Sequence, residues 1–239
     1  MKISYKDILP EYPSLQHLPY KPNNKGDKIA TEKEASVIFN LTNVTIQEKI
    51  DGANCGMAFI DDYPILRSRT KILKKGQELS TPARAQFGPA WNWMYNKKNS
   101  FIILNEFGPY SVYGEWMLQQ HGLFYDALPD WFIAYDIYDY EKKEFINSKK
   151  ANFILNNCGF ETISFCNWSG NLTYEKIEEL SNKSSSFCSK KREGVIVKVS
   201  NDDYVTHKFK MVRQGFEQGS LLGKELKKNK LLQRKKNEK

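Results

Sequence analysis

From residue 44 onward the chain alternates short runs of β-branched and aromatic residues with brief polar links. The runs fall at 44–49, 54–60, 65–69, 101–107, 112–116 and 132–138, and their length and composition predict β-strands. Several links are too short for crossover helices, so the strands are expected to pair antiparallel. Two stretches break this rhythm. Residues 81–97 open with Thr81 as N-cap and Pro82 at the first helical position, and 148–157 stop before Gly159; both predict helices. Gly88-Pro89 is expected to kink or interrupt the first. A third helix is predicted from Thr173, whose hydroxyl can cap it, to about Asn182. Residues 193–200 and 204–212 flank Asn201-Asp202-Asp203 and read as a hairpin. The predicted class is therefore α+β, with antiparallel β-sheets flanked by helices.

Residues 1–43 read differently. Pro10, Pro13, Pro19 and Pro22 and the polar stretch 23–28 suggest an irregular arm packing on the core, with one short helix at 31–39. The expected organisation is this arm (1–43), a main domain (44–213) and a basic C-terminal tail (214–239), which carries eight Lys or Arg from residue 224 to residue 239.

Composition narrows the function classes. With 239 residues, 40% hydrophobic and 27% charged, the chain is an ordinary globular one that can bury a sizeable core. Lys and Arg number 36 against 28 Asp and Glu, a formal +8, which favours a polyanionic partner. Cys55, Cys158, Cys166 and Cys188 form no CxxC pair and no metal-ligand spacing with His17, His121 and His207, which argues against a zinc centre. No leader-like start and no apolar run of about 18 residues is present, so a soluble, reduced, cytoplasmic protein is expected. The N-x-[ST] sequons at Asn40 and Asn171 then read as polar loop composition.

The chemistry centres on Glu48-Lys49-Ile50-Asp51-Gly52-Ala53-Asn54. Alone, Lys-x-Asp-Gly is a weak signal, because Asp-Gly is a common hairpin turn. Five further segments follow it in order: Arg67-Ser68-Arg69, Val112-Tyr113-Gly114-Glu115, Phe132-Ile133-Ala134-Tyr135-Asp136-Ile137, Glu193-Gly194-Val195-Ile196-Val197-Lys198, and His207-Lys208-Phe209-Lys210. Together they resemble the nucleotidyltransferase motifs shared by ATP-dependent DNA ligases, RNA ligases and messenger-RNA capping enzymes. The resemblance runs from about Thr45 to Lys210 and is greatest to the nick-sealing, phage-type RNA ligase 2 family. Asn54 stands where DNA ligases usually place arginine, and an aromatic precedes Asp136; both point to the RNA side. Asp51 is typical of the whole superfamily and does not separate the two.

The resemblance implies that Lys49 carries AMP, taken from ATP with Mg2+ or Mn2+, before a 5′-phosphate end is adenylated and joined to a 3′-hydroxyl. Lys49, Asp51, Glu193, Lys208 and Lys210 would be the catalytic set. Glu115 would hold the ribose hydroxyls, Arg69 a ribose or phosphate oxygen, and Tyr135 would stack on adenine. Asn54 would sit near the phosphates, with Glu48 and Ile50 framing the base. Asp136 and Glu193 would orient lysines, Glu193 also serving as a metal ligand through water. The attacking amine must be neutral, yet a free lysine near neutral pH is uncharged on the order of once in a thousand. Lys208 and Lys210, two apart on one strand face, are the expected agents of a lowered Lys49 pKa; a shift of about three units corresponds to about 4 kcal/mol. Plain alternatives remain at this stage: a solvated strand face for the two lysines, core packing for Tyr135, and a strand edge for Glu193.

The GSLLGKE segment at 219–225 lacks the spacing and the final hydroxyl of a phosphate loop and is set aside. DNA ligases and capping enzymes generally append an OB-fold domain after the KxK motif, and the RNA ligase 2 family a small helical one, whereas residues 211–239 alone follow Lys210 here. A catalytic domain without an OB-fold is therefore expected, with a partner protein or the tail assisting end recognition. Lys71, Lys74 and Lys75, together with the tail, are candidate phosphate contacts. RNA is favoured over DNA as the polynucleotide. The competing readings are a minimal DNA ligase and a non-catalytic nucleic-acid-binding module, which covalent labelling by ATP would separate.

Overall fold

The computed structural model describes residues 4–22, 28–40, 43–168, 170–217 and 227–233. Residues 23–27 of the polar stretch, the GSLLGKE segment at 219–225, and the basic tail other than 214–217 and 227–233 lie outside them.

The arm supplies α1 (Tyr5–Ile8), β1 (Gln16–His17), α2 (Glu32–Ala35) and α3 (Val37–Asn40). The single helix predicted at 31–39 is thus two short ones, the first opened by a reciprocal capping box between Thr31 and Glu34. The core follows as β2 (Val44–Lys49), β3 (Ala53–Ile60), β4 (Tyr63–Ser68), β5 (Ile72–Leu73), α4 (Thr81–Asn96), α5 (Lys98–Phe107) and β6 (Tyr110–Trp116). It continues with β7 (Phe132–Asp139), β8 (Glu144–Phe145), α6 (Ser148–Asn157), β9 (Phe165–Trp168), α7 (Tyr174–Ser181), β10 (Gly194–Ser200) and β11 (Val205–Val212).

Two sheets result. One has the order β1-β11-β10-β2-β9 and the other β5-β4-β3-β6-β7-β8. All pairings are antiparallel except β1 with β11, through which the arm joins the first sheet. Alternation then sorts the side chains. On the first sheet Val44, Ile46, Val195, Val197, Val199, Phe209 and Met211 face a core shared with Ala35, Ile38 and Ile177 of α2, α3 and α7. The opposite face carries Gln47, Lys49, Ile196, Lys198 and Lys210 into a cleft between the sheets. The second sheet buries Cys55, Met57, Leu66, Val112 and Trp116 against α4, α5 and α6.

Three local expectations are corrected. Residues 101–107 are helical, as α5, not a strand: Phe101 and Leu104 are fully buried while Ile102 and Phe107 stay exposed, the i, i+3 pattern of a helix face that a short apolar run does not reveal. Ser80, rather than Thr81, is the N-cap residue of α4. Pro89 does not interrupt that helix, which runs on to Asn96. Proline cannot donate to the carbonyl four residues back; here Gln119 Nε2 donates to the Ala85 carbonyl at 3.1 Å instead.

Candidate active site

The cleft holds a cavity of about 330 Å³, within the range of small-molecule sites. Lys49 ends β2 on its floor, opposite Gly194 in the β10 register. A Cβ at Gly194 would meet the Met211 carbonyl oxygen at 2.1 Å, so glycine is needed for β10 to lie this close to β11. Glu193, immediately before it, is 3% exposed. Both of its carboxylate oxygens lie 2.8 Å from Lys49 Nζ.

This pair reverses one expectation. Burial by itself would depress the Lys49 amine, but the Glu193 carboxylate, aided by Glu115 and Asp51, more than offsets it, and the pKa is raised above the ordinary lysine value. The net direction is thus upward, opposite to the lowering expected from Lys208 and Lys210. Burial also raises the Glu193 pKa, against the pull of Lys49.

Lys208 is not among the cavity-lining residues. Its Nζ donates to Asp136 Oδ2 at 2.8 Å and to the Tyr12 hydroxyl at 3.2 Å, and lies 3.5 Å from the centre of the Phe145 ring. Burial lowers its pKa to about 8. Lys198 donates to Asp136 Oδ1 at 2.7 Å and to the Tyr135 carbonyl at 3.0 Å. Asp136 is fully buried, and the two lysines and the Tyr12 hydroxyl, 2.6 Å away, occupy its oxygens. Lys208 and Lys210 do share one face of β11, opposite Lys198 and Ile196 of β10, but their surroundings differ: Lys210 lines the cavity, and Lys208 joins Lys198 in a clasp between the sheets.

A bulge explains how Tyr135 and Asp136 both reach the cleft. The β6–β7 register steps from Tyr113↔Asp136 to Gly114↔Ala134, leaving Tyr135 as an extra residue. Adjacent strand residues normally point to opposite faces, and a bulge re-aims one of them. The Tyr135 hydroxyl accepts a short hydrogen bond from Asn54 Nδ2 and donates to Glu115 Oε1 at 3.4 Å. Asn54 and Glu115 are themselves paired across β3 and β6. Glu115 Oε2 is buried without a protein partner. Burial, reinforced by Glu193 and Asp51 and opposed by Lys49, raises the Glu115 pKa to about 8. A ligand bearing hydroxyl donors would satisfy that oxygen.

The remaining expected residues divide. Arg69 is exposed and Ile50 buried, and both line the cavity. Glu48 lines it as well, but its carboxylate is held by the Ser185 hydroxyl at 2.6 Å and the Ser186 N–H at 2.8 Å. Asp51 is buried, and its Oδ2 accepts the N–H groups of Gly122 at 2.5 Å and Leu123 at 3.1 Å. It fastens a loop and is not among the cavity-lining residues. Sequence reasoning passed over Lys198, Gln47, Tyr12 and Lys28, all of which line the cavity. The first two could have been found by carrying the period-two pattern across the β2–β10–β11 register; Tyr12 and Lys28, on the arm, carried no such signal.

Glu193, the candidate metal residue, offers the hard oxygen donors that magnesium or manganese prefers. No group of three metal-ligating side chains occurs among the described residues, so Glu193 suits an ion bound largely through water and ligand oxygens.

The lysine–carboxylate pair at the base of a cleft between two largely antiparallel sheets is an arrangement that agrees with a nucleotidyltransferase fold. The chain belongs to the RNA ligase family, whose sequence pattern matches residues 42–212. Solved structures agree on the fold. The Naegleria gruberi RNA ligase with PPi is 19% identical, with a TM-score of 0.56 over 89% of this chain and 61% of that one. A mutant of the same ligase with ATP and Mn is 17% identical, with a TM-score of 0.55 over 80% of this chain and 56% of that one. The chain thus spans about three-fifths of the length of these proteins. No curated protein matches it in sequence.

Proposed function

We propose that this chain is the catalytic part of an ATP-dependent RNA ligase that carries AMP on Lys49. The observation that carries this reading is the placement of Lys49 Nζ in the cavity, 2.8 Å from a buried Glu193, beside the unpartnered Oε2 of Glu115. The Lys49 proton passes to Glu193, whose raised pKa suits it to the task. The amine then attacks the α-phosphorus of ATP, a P–N bond forms, and pyrophosphate leaves. AMP is next transferred to a 5′-phosphate end, and a 3′-hydroxyl attacks that end and releases AMP. A divalent ion bound with the triphosphate supplies positive charge for the leaving oxygens. Glu115 receives the ribose hydroxyls, and Lys210 and Arg69, at the cavity wall, meet phosphate oxygens. The Tyr135 hydroxyl already bonds Asn54 and Glu115, so in this reading Tyr135 sets the Glu115 carboxylate while its ring borders the base.

The polynucleotide is RNA in preference to DNA, the assignment supported by family membership and by Asn54 in the cavity. Four free cysteines suit a reducing, intracellular setting, and no helix among the described residues is long and apolar enough to cross a membrane.

Incubation with α-labelled ATP and magnesium is expected to give a covalent, acid-labile protein adduct, absent from Lys49→Ala. Label persisting in that variant would overturn the assignment. Nicked duplexes differing only in an RNA or DNA 3′-hydroxyl strand then read the substrate preference, and faster sealing of the all-DNA nick would favour the DNA ligase alternative.

A further inference from the structure

Residues 227–233 lie against the loop that leaves β6, and the contact is built around one side chain. Asn229 is 3% exposed. Its Oδ1 accepts the Tyr125 N–H at 2.9 Å, while Nδ2 donates to the carbonyls of Met117 at 2.7 Å and Gln119 at 3.2 Å. Backbone bonds flank it: Gln120 N–H to the Lys227 carbonyl at 2.7 Å, Asn229 N–H to Leu118 at 3.0 Å, Lys230 N–H to Tyr125 at 2.8 Å, and Leu232 N–H to Leu128 at 2.8 Å. The loop itself contains no helix and no named strand, so its buried polar groups depend on such partners.

The other side of this loop holds the residue next but one to Lys49. Gly122 and Leu123 donate to the Asp51 carboxylate, and the Tyr125 hydroxyl accepts the Asp51 N–H at 2.9 Å. A continuous path of hydrogen bonds therefore runs from Asn229 through Tyr125 to Asp51, and from there two residues along the chain to Lys49. Lys49 has no such loop contact of its own: its side-chain bond goes to Glu193.

We propose that the 227–233 segment is a strap that fixes the Lys49–Gly52 corner through the 117–128 loop, with Asn229 as a positioning residue for transfer to Lys49. The proposal rests on the reading of Lys49 as the AMP carrier. Losing the carboxamide would leave the Tyr125 N–H and two buried carbonyls unpaired, loosening the loop on which Asp51 is fastened. Binding of nucleotide at the Glu115 side of the cavity would be little affected, because neither Asn229 nor the loop's Gly122–Tyr125 portion lines it.

The test uses the full chain with Asn229→Ala, and with Asn229→Ser, whose smaller polar side chain leaves room for water and keeps a folded variant in hand. In single-turnover labelling by ATP and magnesium, the rate constant at saturating ATP is expected to fall about 10-fold or more, since a misplacement of about 1 Å can cost about 10²-fold. The ATP concentration giving half-maximal rate should stay within about 2-fold. Hydrogen exchange at the amides of Asp51, Gly122 and Leu123 should quicken in the same variants. A lower melting temperature and a smaller labelled fraction, with the rate constant unchanged, would mean a purely stabilising role and overturn the proposal. Unchanged exchange at those three amides would overturn it too. Absence of label in the parent would instead overturn the Lys49 reading, and the exchange measurement would still decide whether the strap governs the corner.

Discussion

Glu193, buried, and Glu115, half-buried with one carboxylate oxygen fully enclosed, both lie beside Lys49, yet they are held in different ways. Glu193 is matched by an ammonium at 2.8 Å; Glu115 has one oxygen without a partner and a pKa raised by burial from 4.5 to about 8. Between those values the folded chain keeps a proton that the unfolded chain has lost, so stability falls as pH rises from about 4.5 to about 8. Lys208, lowered from 10.5 to about 8, works in the next window: from about 8 to 10.5 the folded chain has lost a proton that the unfolded chain keeps, and stability rises with pH. Glu115→Gln cannot ionise. Its melting temperature is expected to overtake that of the parent progressively from pH 5 to pH 8, while its affinity for ATP drops. Melting curves that run parallel across that range would show that Glu115 is not the group responsible. A second expectation concerns the proton from Lys49: Glu193→Gln should slow labelling by about 10²-fold or more and shift its pH dependence downward, because the carboxylate that raises the Lys49 pKa is gone and burial then depresses the amine.

At the level of elements, the two sheets are joined beneath the cavity by one anion and two cations. Asp136 on β7 receives Lys198 from β10 and Lys208 from β11, and Tyr12 of the arm closes the group. Replacing the carboxylate would leave two ammonium groups buried without their counter-ion, a loss of about 3–5 kcal/mol. Asp136→Asn should therefore melt well below the parent, whereas Tyr12→Phe, which removes the hydroxyl's two hydrogen bonds, should cost about 2 kcal/mol; equal losses would mean the charges are not what joins the sheets. Much of this level was legible in the sequence. The runs at 44–49, 54–60, 112–116 and 132–138 and the 193–212 hairpin announced their strands because β-branched and aromatic residues alternate there. Residues 101–107 misled because a short apolar run has no readable period until its burial is known. That Lys208 pairs with Asp136 while Lys210, on the same face of β11, lines the cavity was not legible either: it turns on where Asp136 sits across the cleft, beside the Tyr135 bulge, a register shift with no mark in the local sequence.

For the whole molecule, the formal +8 acquires a direction once the cavity is placed. Arg69 lines the cavity, and Lys71 and Lys74 follow it as exposed residues on the turn that leads out of β4 and past β5. Lys75, by contrast, rests over the Tyr95 ring at 4.3 Å and has a packing role of its own. Exposed cations that follow a cavity-lining residue in the chain and do not themselves line the cavity are suited to the phosphates of a polynucleotide, which contribute affinity by releasing counter-ions and so give binding a steep dependence on salt. The double substitution Lys71→Gln, Lys74→Gln is therefore expected to leave self-labelling by ATP unchanged and to weaken binding of a nicked RNA duplex. It should also reduce the slope of log affinity against log salt by about one for each lysine that contacts a phosphate. Fluorescence anisotropy at several salt concentrations reads that slope. If the slope stays the same while sealing slows, these lysines do not touch the backbone and the polynucleotide path leaves the cavity by another side. If labelling slows in step with binding, the patch belongs to the nucleotide site and the separation between AMP transfer and end recognition drawn here is wrong.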